Sequence, residues 1–217
     1  LGQGVSMAVG MAIASLHQQQ VLGSDVINNR VYSLVGDGDL QEDVALGAMQ
    51  LAGHLGLHNL VVYYDKNDIQ ISGKTERVSS VNFRQLFEDM QWEVLEIDGH
   101  DHAAIRQALN HAQTGRSKPL IIIGETVMAK GTATMEGSHK THGEPLKPEE
   151  IAATKSKLGL DPEQFFQVSD EVIDYFNEKL ESYHNEADAW EINLKNRRKS
   201  DSAFDQFCAS LFEGKVD

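Results

Sequence analysis

Two polar residues, Asp37 and Asn67, stand 30 positions apart (67 − 37), each just after a short apolar run. Val31-Tyr-Ser-Leu-Val35 precedes the first and Leu60-Val-Val-Tyr-Tyr64 the second. Both runs have the length and composition of buried strands. One helical pattern lies between them. A strand–helix–strand unit makes two parallel neighbours, so both polar residues should emerge at the same carboxyl edge of a sheet. Open α/β folds bind ligands at that edge. A carboxylate and an amide oxygen held there are hard ligands, suited to Mg²⁺ or Ca²⁺ rather than zinc. Gly38 adds a backbone N–H where a helix begins, a natural seat for phosphate. Metal plus diphosphate is the implied cargo. Taken singly, each residue also has a plainer reading: Asp-Gly after a strand is a common turn, and Asn67 in Asp-Lys-Asn-Asp is a natural turn residue.

The elements that would position these residues are legible along the chain. Val5 to Val21 carries apolar side chains at 5, 8, 9, 12, 13 and 16, a helical stripe. Gly2 and Gly4 at its start and Gly10 in its interior imply either close packing against a neighbour or a helix end approaching a ligand. A second helix is expected from Gln41 to about His54, apolar over most of its circumference and therefore well buried. Strand two should end at Asp65, and Ile69-Gln-Ile-Ser-Gly73 is too short for a core strand and reads as an ordered loop. Asn82 can cap a helix through Phe83, Leu86, Phe87 and Met90. Glu93-Val-Leu-Glu-Ile97 is a third strand closed by the turn Asp98-Gly99, His102 to Gln113 a helix, and Pro119-Leu-Ile-Ile-Ile123 a fourth strand. This alternation predicts an α/β fold: a mostly parallel sheet with helices on both faces.

Thr126 to Pro145 has no periodicity but holds Lys130, His139, His142 and several glycines, and so long a loop inside a compact domain is usually functional or disordered. Glu149 to Gly159 and Pro162 to Phe166 read as short helices, the second with Asp161 as N-cap and Pro162 at its first position. Ser169 to about Lys199 is a long charged helical pattern ending in Arg197-Arg198-Lys199. It reads as a helical linker arm leading from an α/β domain over 1–166, with the arm over 167–217.

Composition narrows the function. The 217 residues are 41% hydrophobic, enough for one substantial domain with a core. A net charge of −14, from 19 basic and 33 acidic residues, argues against a dedicated nucleic-acid binder. The single cysteine, Cys208, rules out an internal disulfide and fits a reducing, cytoplasmic compartment. No apolar run reaches membrane-spanning length. The opening Leu-Gly-Gln-Gly lacks a start Met and a basic leader, which suggests a fragment of a longer chain.

Gly36-Asp37-Gly38 followed at this spacing by Asn67 resembles the thiamine diphosphate motif, and within it the transketolase version. Three further stretches are similar to that family: Leu1-Gly-Gln-Gly-Val-Ser-Met-Ala-Val-Gly-Met-Ala, Ile97-Asp-Gly-His-Asp101, and His139-Lys-Thr-His142-Gly143-Glu-Pro145-Leu146. The likeness runs from Leu1 to about Phe166, with the arm similar to the link towards the family's next domain. The resemblance implies roles position by position. Asp37 and Asn67 would give side-chain oxygens, and Ile69 a backbone carbonyl, to Mg²⁺ or Ca²⁺. Gly38 would bond the diphosphate through its N–H, and Leu1 and Ile71 would touch the cofactor rings. His142 would reach diphosphate and substrate, with His139 in support. Glu42 would meet a glutamate of a second subunit. The implied cofactor is thiamine diphosphate and the implied activity is transfer of a two-carbon ketol unit from a ketose phosphate to an aldose phosphate. The implied partners are sugar-phosphate substrates and the second subunit of a homodimer, which would supply a pyrimidine-binding domain. Nucleic acid and membrane are not expected partners, and the fragment alone should not turn over.

Three rivals remain at this stage. 1-Deoxyxylulose-5-phosphate synthase shares the metal motif, although the His-Gly-Glu-Pro-Leu loop and the Leu-Gly-Gln-Gly opening favour transketolase. A non-catalytic half of a split thiamine diphosphate enzyme is the second. A nicotinamide-binding Rossmann domain is disfavoured because Gly-x-Gly-x-x-Gly is missing between strand one and its helix.

Overall fold

The computed structural model describes residues 1–213. They form two compact units, one of Leu1–Ala14 with Asn29–Gln164, the other of Ser15–Asn28 with the residues from Phe165 on. Helix α1 (Gln3–Leu22) contributes to both. Residues 15–28 thus group with the C-terminal helices, where a single division after residue 166 puts them with the α/β part. The end of the expected arm, 214–217, lies outside the described residues.

In the first unit β1 (Val31–Gly36) leads through a 3₁₀ turn at Asp39–Gln41 into α2 (Asp43–His54) and β2 (Leu60–Lys66). β3 (Ile69–Gln70), β4 (Gly73–Lys74), α3 (Phe83–Asp89), β5 (Glu93–Asp98), α4 (His102–His111), β6 (Leu120–Glu125) and α5 (Pro148–Lys157) follow. The four long strands form a parallel sheet in the order β1-β2-β6-β5. β2 and β6 are central, which is why their sequences are nearly continuous apolar runs rather than alternating ones.

Register shows that both faces are covered. Val61 pairs with Leu120 and Tyr63 with Ile122, and this set packs on Ala108 and Ala112 around α4. Val62, Tyr64, Ile121 and Ile123 point the other way. There the Tyr64 ring meets Phe83 of α3 edge-on at 5.6 Å, and the Trp92 indole N–H donates to the Met49 carbonyl of α2 at 2.9 Å. Asn82 caps α3, its side chain accepting from the Gln85 N–H, as its position before the apolar run suggests.

Local corrections follow from particular contacts. The segment at Ile69–Gly73 is not a loop but part of a two-rung antiparallel hairpin, Ile69 opposite Lys74 and Gln70 opposite Gly73. Pro162–Phe166 is no helix. Asp161 Oδ1 accepts from the Glu163 N–H in a local turn, and Lys155 Nζ takes the carbonyls of Pro162 and Gln164. Phe166 then adopts φ 53°, outside the helical range. α2 starts at Asp43, two residues later than expected, because the 3₁₀ turn intervenes. Beyond their own helix, Gly4 and Gly10 have nothing among the described residues within 4 Å of an added Cβ, so packing within the described chain does not explain them.

The second unit is built on α6 (Asp170–Ser200) and α7 (Ser202–Glu213), the latter not anticipated from the sequence. Leu22, Val26, Phe204 and Cys208 make its core. Trp190 donates its indole N–H to the Val26 carbonyl at 2.9 Å. Arg197 donates to the Leu22 carbonyl and to Asp25, both at 2.6 Å, with its guanidinium 4.1 Å over the Phe204 ring. Arg198 pairs with Asp205. Two arginines of the basic run are therefore engaged in packing.

Candidate functional site

Gly36 pairs with Asp65 at the ends of β1 and β2, so Asp37 and Asn67 emerge together at the carboxyl edge of the sheet. Asp37 is only 5% exposed. Its Oδ2 accepts from the N–H groups of Asn67 at 3.2 Å and Asp68 at 3.1 Å, and its Oδ1 from the Tyr64 hydroxyl at 2.7 Å. Burial pushes the Asp37 carboxyl above its ordinary pKa against the opposing pull of Tyr64 and the Asn67 N–H. Asn67 Oδ1 accepts from the Ile69 N–H at 3.0 Å, and its amide nitrogen donates to Asp65 at 3.3 Å. Asp37, after β1, is thus joined to the Asn67–Ile69 turn after β2, and all three residues line a cavity of about 480 Å³ with Lys66, Thr75 and Thr126.

This set fits a hard divalent cation. A carboxylate, an amide oxygen and a peptide carbonyl are the donors such an ion takes, and three bonds to Asp37 leave one of its roughly four lone-pair positions open. The diphosphate side fits as well. Gly38 has φ −68° and needs no glycine for its conformation. Its N–H meets no acceptor among the described residues, and an added Cβ would touch only Leu1 Cδ1, at 3.7 Å. What glycine preserves there is open space beside a free N–H.

The other sequence-derived positions are distributed around this centre. Leu1 lies beside Gly38 and is 76% exposed. Gly2 has φ +72°, and a Cβ there would come 3.0 Å from Glu42 Cβ, so Glu42 sits against the same chain start. The Glu42 side chain makes no cap bond, although the residue caps α2. Ile71, 77% exposed, projects from the hairpin tip between β3 and β4. His142 is half-buried and closes the 3₁₀ turn His139–Thr141. Among the described residues no hydrogen bond joins the His142 side chain or Ile71 to the Asp37 cluster.

Sequence reasoning missed three residues here. Asp39 accepts from the N–H groups of Gly2, at 2.8 Å, and Gly36, at 3.0 Å, so one carboxylate ties the chain start to the Asp37 turn. Gln41 donates to the Asp37 carbonyl at 3.3 Å and to Gln70 at 3.0 Å, joining that turn to the hairpin. Tyr64 supports Asp37 from below. Tyr64 sits unmarked in an apolar run, and the long-range partners of the other two, Gly2 for Asp39 and Gln70 for Gln41, are too distant in sequence to be read.

A parallel sheet whose first two strands deliver an acidic and an amide residue beside an open glycine N–H is an open α/β domain with its candidate site at the carboxyl edge. Comparison with known proteins makes the family definite: the chain matches the family "Transketolase, thiamine diphosphate binding domain" over residues 1–216 and belongs to it. It is 41% identical over 216 residues to the transketolase of Sinorhizobium medicae (strain WSM419), covering 100% of this chain and 31% of that protein. It is 38% identical over 184 residues to the dihydroxyacetone synthase of Pichia angusta, covering 82% and 26% respectively. Among solved structures, the transketolase from Leishmania mexicana superposes with a TM-score of 0.94 at 33% identity, covering 100% of this chain and 33% of that one. The chain therefore spans about a third of the length of such relatives. No helix among the described residues is long and apolar enough to cross a membrane.

Proposed function

We propose that this chain is the diphosphate-binding part of a transketolase-type transferase that moves a two-carbon ketol unit from a ketose phosphate to an aldose phosphate. The observation that carries the reading is the strand-end cluster: Asp37 bonded to the turn that carries Asn67 and Ile69, beside the free N–H of Gly38. In this reading the 1–166 part binds the cofactor and the helices beyond it lead to a pyrimidine-binding domain.

Asp37, Asn67 and the Ile69 carbonyl hold Mg²⁺ or Ca²⁺, whose charge lets a diphosphate sit at the edge of an acidic protein. Gly38 donates its N–H to the diphosphate. Leu1 and Ile71 offer exposed apolar surface to the cofactor rings. His142 reaches both diphosphate and substrate with its two ring nitrogens. Thiamine diphosphate, when bound, supplies the reactive carbon and the electron sink for the two-carbon transfer. Glu42 meets a glutamate of a second subunit, and the enzyme works as a cytoplasmic homodimer on sugar phosphates.

The test is Asp37→Ala in the complete protein. Metal-dependent affinity for thiamine diphosphate should fall at least about 100-fold, or ~2.7 kcal/mol, by calorimetry. Unchanged affinity at saturating Mg²⁺ would sink the assignment. The likeness to a dihydroxyacetone synthase keeps the acceptor a separate question. A panel of aldose phosphates and short aldehydes, with pyruvate as rival donor, decides it.

A further inference from the structure

Tyr64 has no place in the roles above, yet its hydroxyl is the only side-chain donor bonded to the Asp37 carboxylate among the described residues. Val35 and Tyr64 are register partners, and Asp37 lies two residues beyond Val35, on the same side of the sheet. The phenol therefore runs along that face from β2 and ends under the carboxylate, 2.7 Å from Oδ1. The residue is 1% exposed. Its ring is fixed by a chain of aromatic contacts: edge-on to Phe83 at 5.6 Å, Phe83 stacked on Phe87 at 6.2 Å, and Phe87 against Trp92 at 5.9 Å. Trp92 is itself tied to the Met49 carbonyl. A donor held this firmly cannot follow the carboxylate; the carboxylate must conform to it.

We propose that Tyr64 is a positioning residue that presets Asp37 to bind the cation through one lone pair of Oδ1. Oδ2 is occupied by the two N–H groups of the Asn67–Asp68 turn. Oδ1 has two lone pairs. The Tyr64 hydroxyl takes one, and the carboxylate plane is fixed by bonds on both oxygens. What remains is a single acceptor direction, which imposes one-point coordination. That arrangement suits Mg²⁺, which demands near-octahedral order, more than Ca²⁺, which accepts one- or two-point carboxylates and looser geometry. Outer-shell partners of this kind are worth about 10–100-fold in metal affinity.

The inference rests on the proposed metal site, and the experiment separates the two. In the complete protein with saturating thiamine diphosphate, Mg²⁺ and Ca²⁺ affinities are measured by calorimetry for wild type, Tyr64→Phe, Phe83→Leu and Asp37→Asn. Tyr64→Phe keeps the ring and its packing but removes the hydroxyl. It should weaken Mg²⁺ by about 10–100-fold and Ca²⁺ by clearly less, so that the Mg²⁺/Ca²⁺ affinity ratio falls. Phe83→Leu keeps the hydroxyl but loosens the ring, and should move the ratio in the same direction by a smaller amount. Equal losses for both cations, accompanied by a lower melting temperature, would mean that Tyr64 only supports the fold and would overturn the inference. Wild-type affinities in Tyr64→Phe with weakened binding in Asp37→Asn would overturn it too, leaving the site intact. Wild-type binding in Asp37→Asn would remove the site and the inference together.

Discussion

At Asp39 one carboxylate accepts two backbone N–H groups, from Gly2 and Gly36, that have no other partner among the described residues. Asp39→Ala leaves both donors unpaired at a partly buried junction, which costs about 1–3 kcal/mol for each group left without a partner or water. The expected outcome is a lower denaturant midpoint with unchanged slope, and weaker thiamine diphosphate binding because Leu1 and Gly38 lose their common anchor. Asp39→Asn keeps one acceptor oxygen and should lose about half as much. His142 presents the opposite case, a side chain with no bond to the protein's own site. If it serves substrate, His142→Ala lowers kcat/KM by about 10²–10⁴-fold and cofactor affinity by much less. Equal losses in the two quantities would assign it to the cofactor alone. Asp37, Gly38 and Asn67 were legible in the sequence because strand ends and turn residues announce themselves locally. Asp39 and Tyr64 were not: an acid in a first helical turn and a tyrosine in an apolar run have ordinary explanations, and their partners lie 37 and 27 positions away.

The loop after β6 is held to α5 rather than to the sheet edge alone. Glu150 accepts from the Thr134 N–H and hydroxyl, each at 2.7 Å, and these bonds lower its carboxyl below the ordinary 4.5, the backbone one most. A depressed folded-state pKa means that this anchoring is fully present above the unfolded value and is lost as pH falls through the lower folded one. Protection of the 131–137 amides, measured by hydrogen exchange and corrected for the intrinsic rate, should hold from neutral pH to about 4.5 and then decline. Glu150→Gln should show the reduced protection at every pH, and a wild-type loop equally protected on both sides of that range would refute the anchor. Strands β1, β2, β5 and β6 and helices α2, α3 and α4 could be read from period and punctuation because each carries its own signal. The hairpin of β3 and β4 has only two rungs, too few to leave a pattern. Pro162 and Asp161 do form a helix-start signature. The structure overrides it because Lys155, several residues upstream, claims the carbonyls that would begin the helix.

For the whole molecule the informative residue is Glu42. It caps α2 through its backbone, the α2 amides of Ala45 and Leu46 bonding to its carbonyl, while its side chain has no hydrogen bond or ion pair among the described residues. It stands next to Gly2, close to the proposed cofactor cradle, in a protein that carries a net charge of −14. An acid without a partner among the described residues, half-buried beside the proposed cofactor cradle, leaves its carboxylate available to a group on another chain. In the proposed homodimer a glutamate of the second subunit would meet it there. Glu42→Gln retains a hydrogen-bonding side chain of the same size. The complete protein should stay dimeric with cofactor bound, but its rate should fall because an amide cannot act as an acid or a base. Glu42→Ala removes the partner outright and should also weaken dimerisation in the presence of thiamine diphosphate and Mg²⁺, by about 1–3 kcal/mol for the group left unpaired. Sedimentation of wild type and both variants, with and without cofactor, alongside steady-state rates, gives the two readings together. A fully active monomer, or a Glu42→Ala protein with wild-type rate and association, would show that this side chain faces solvent rather than a second subunit.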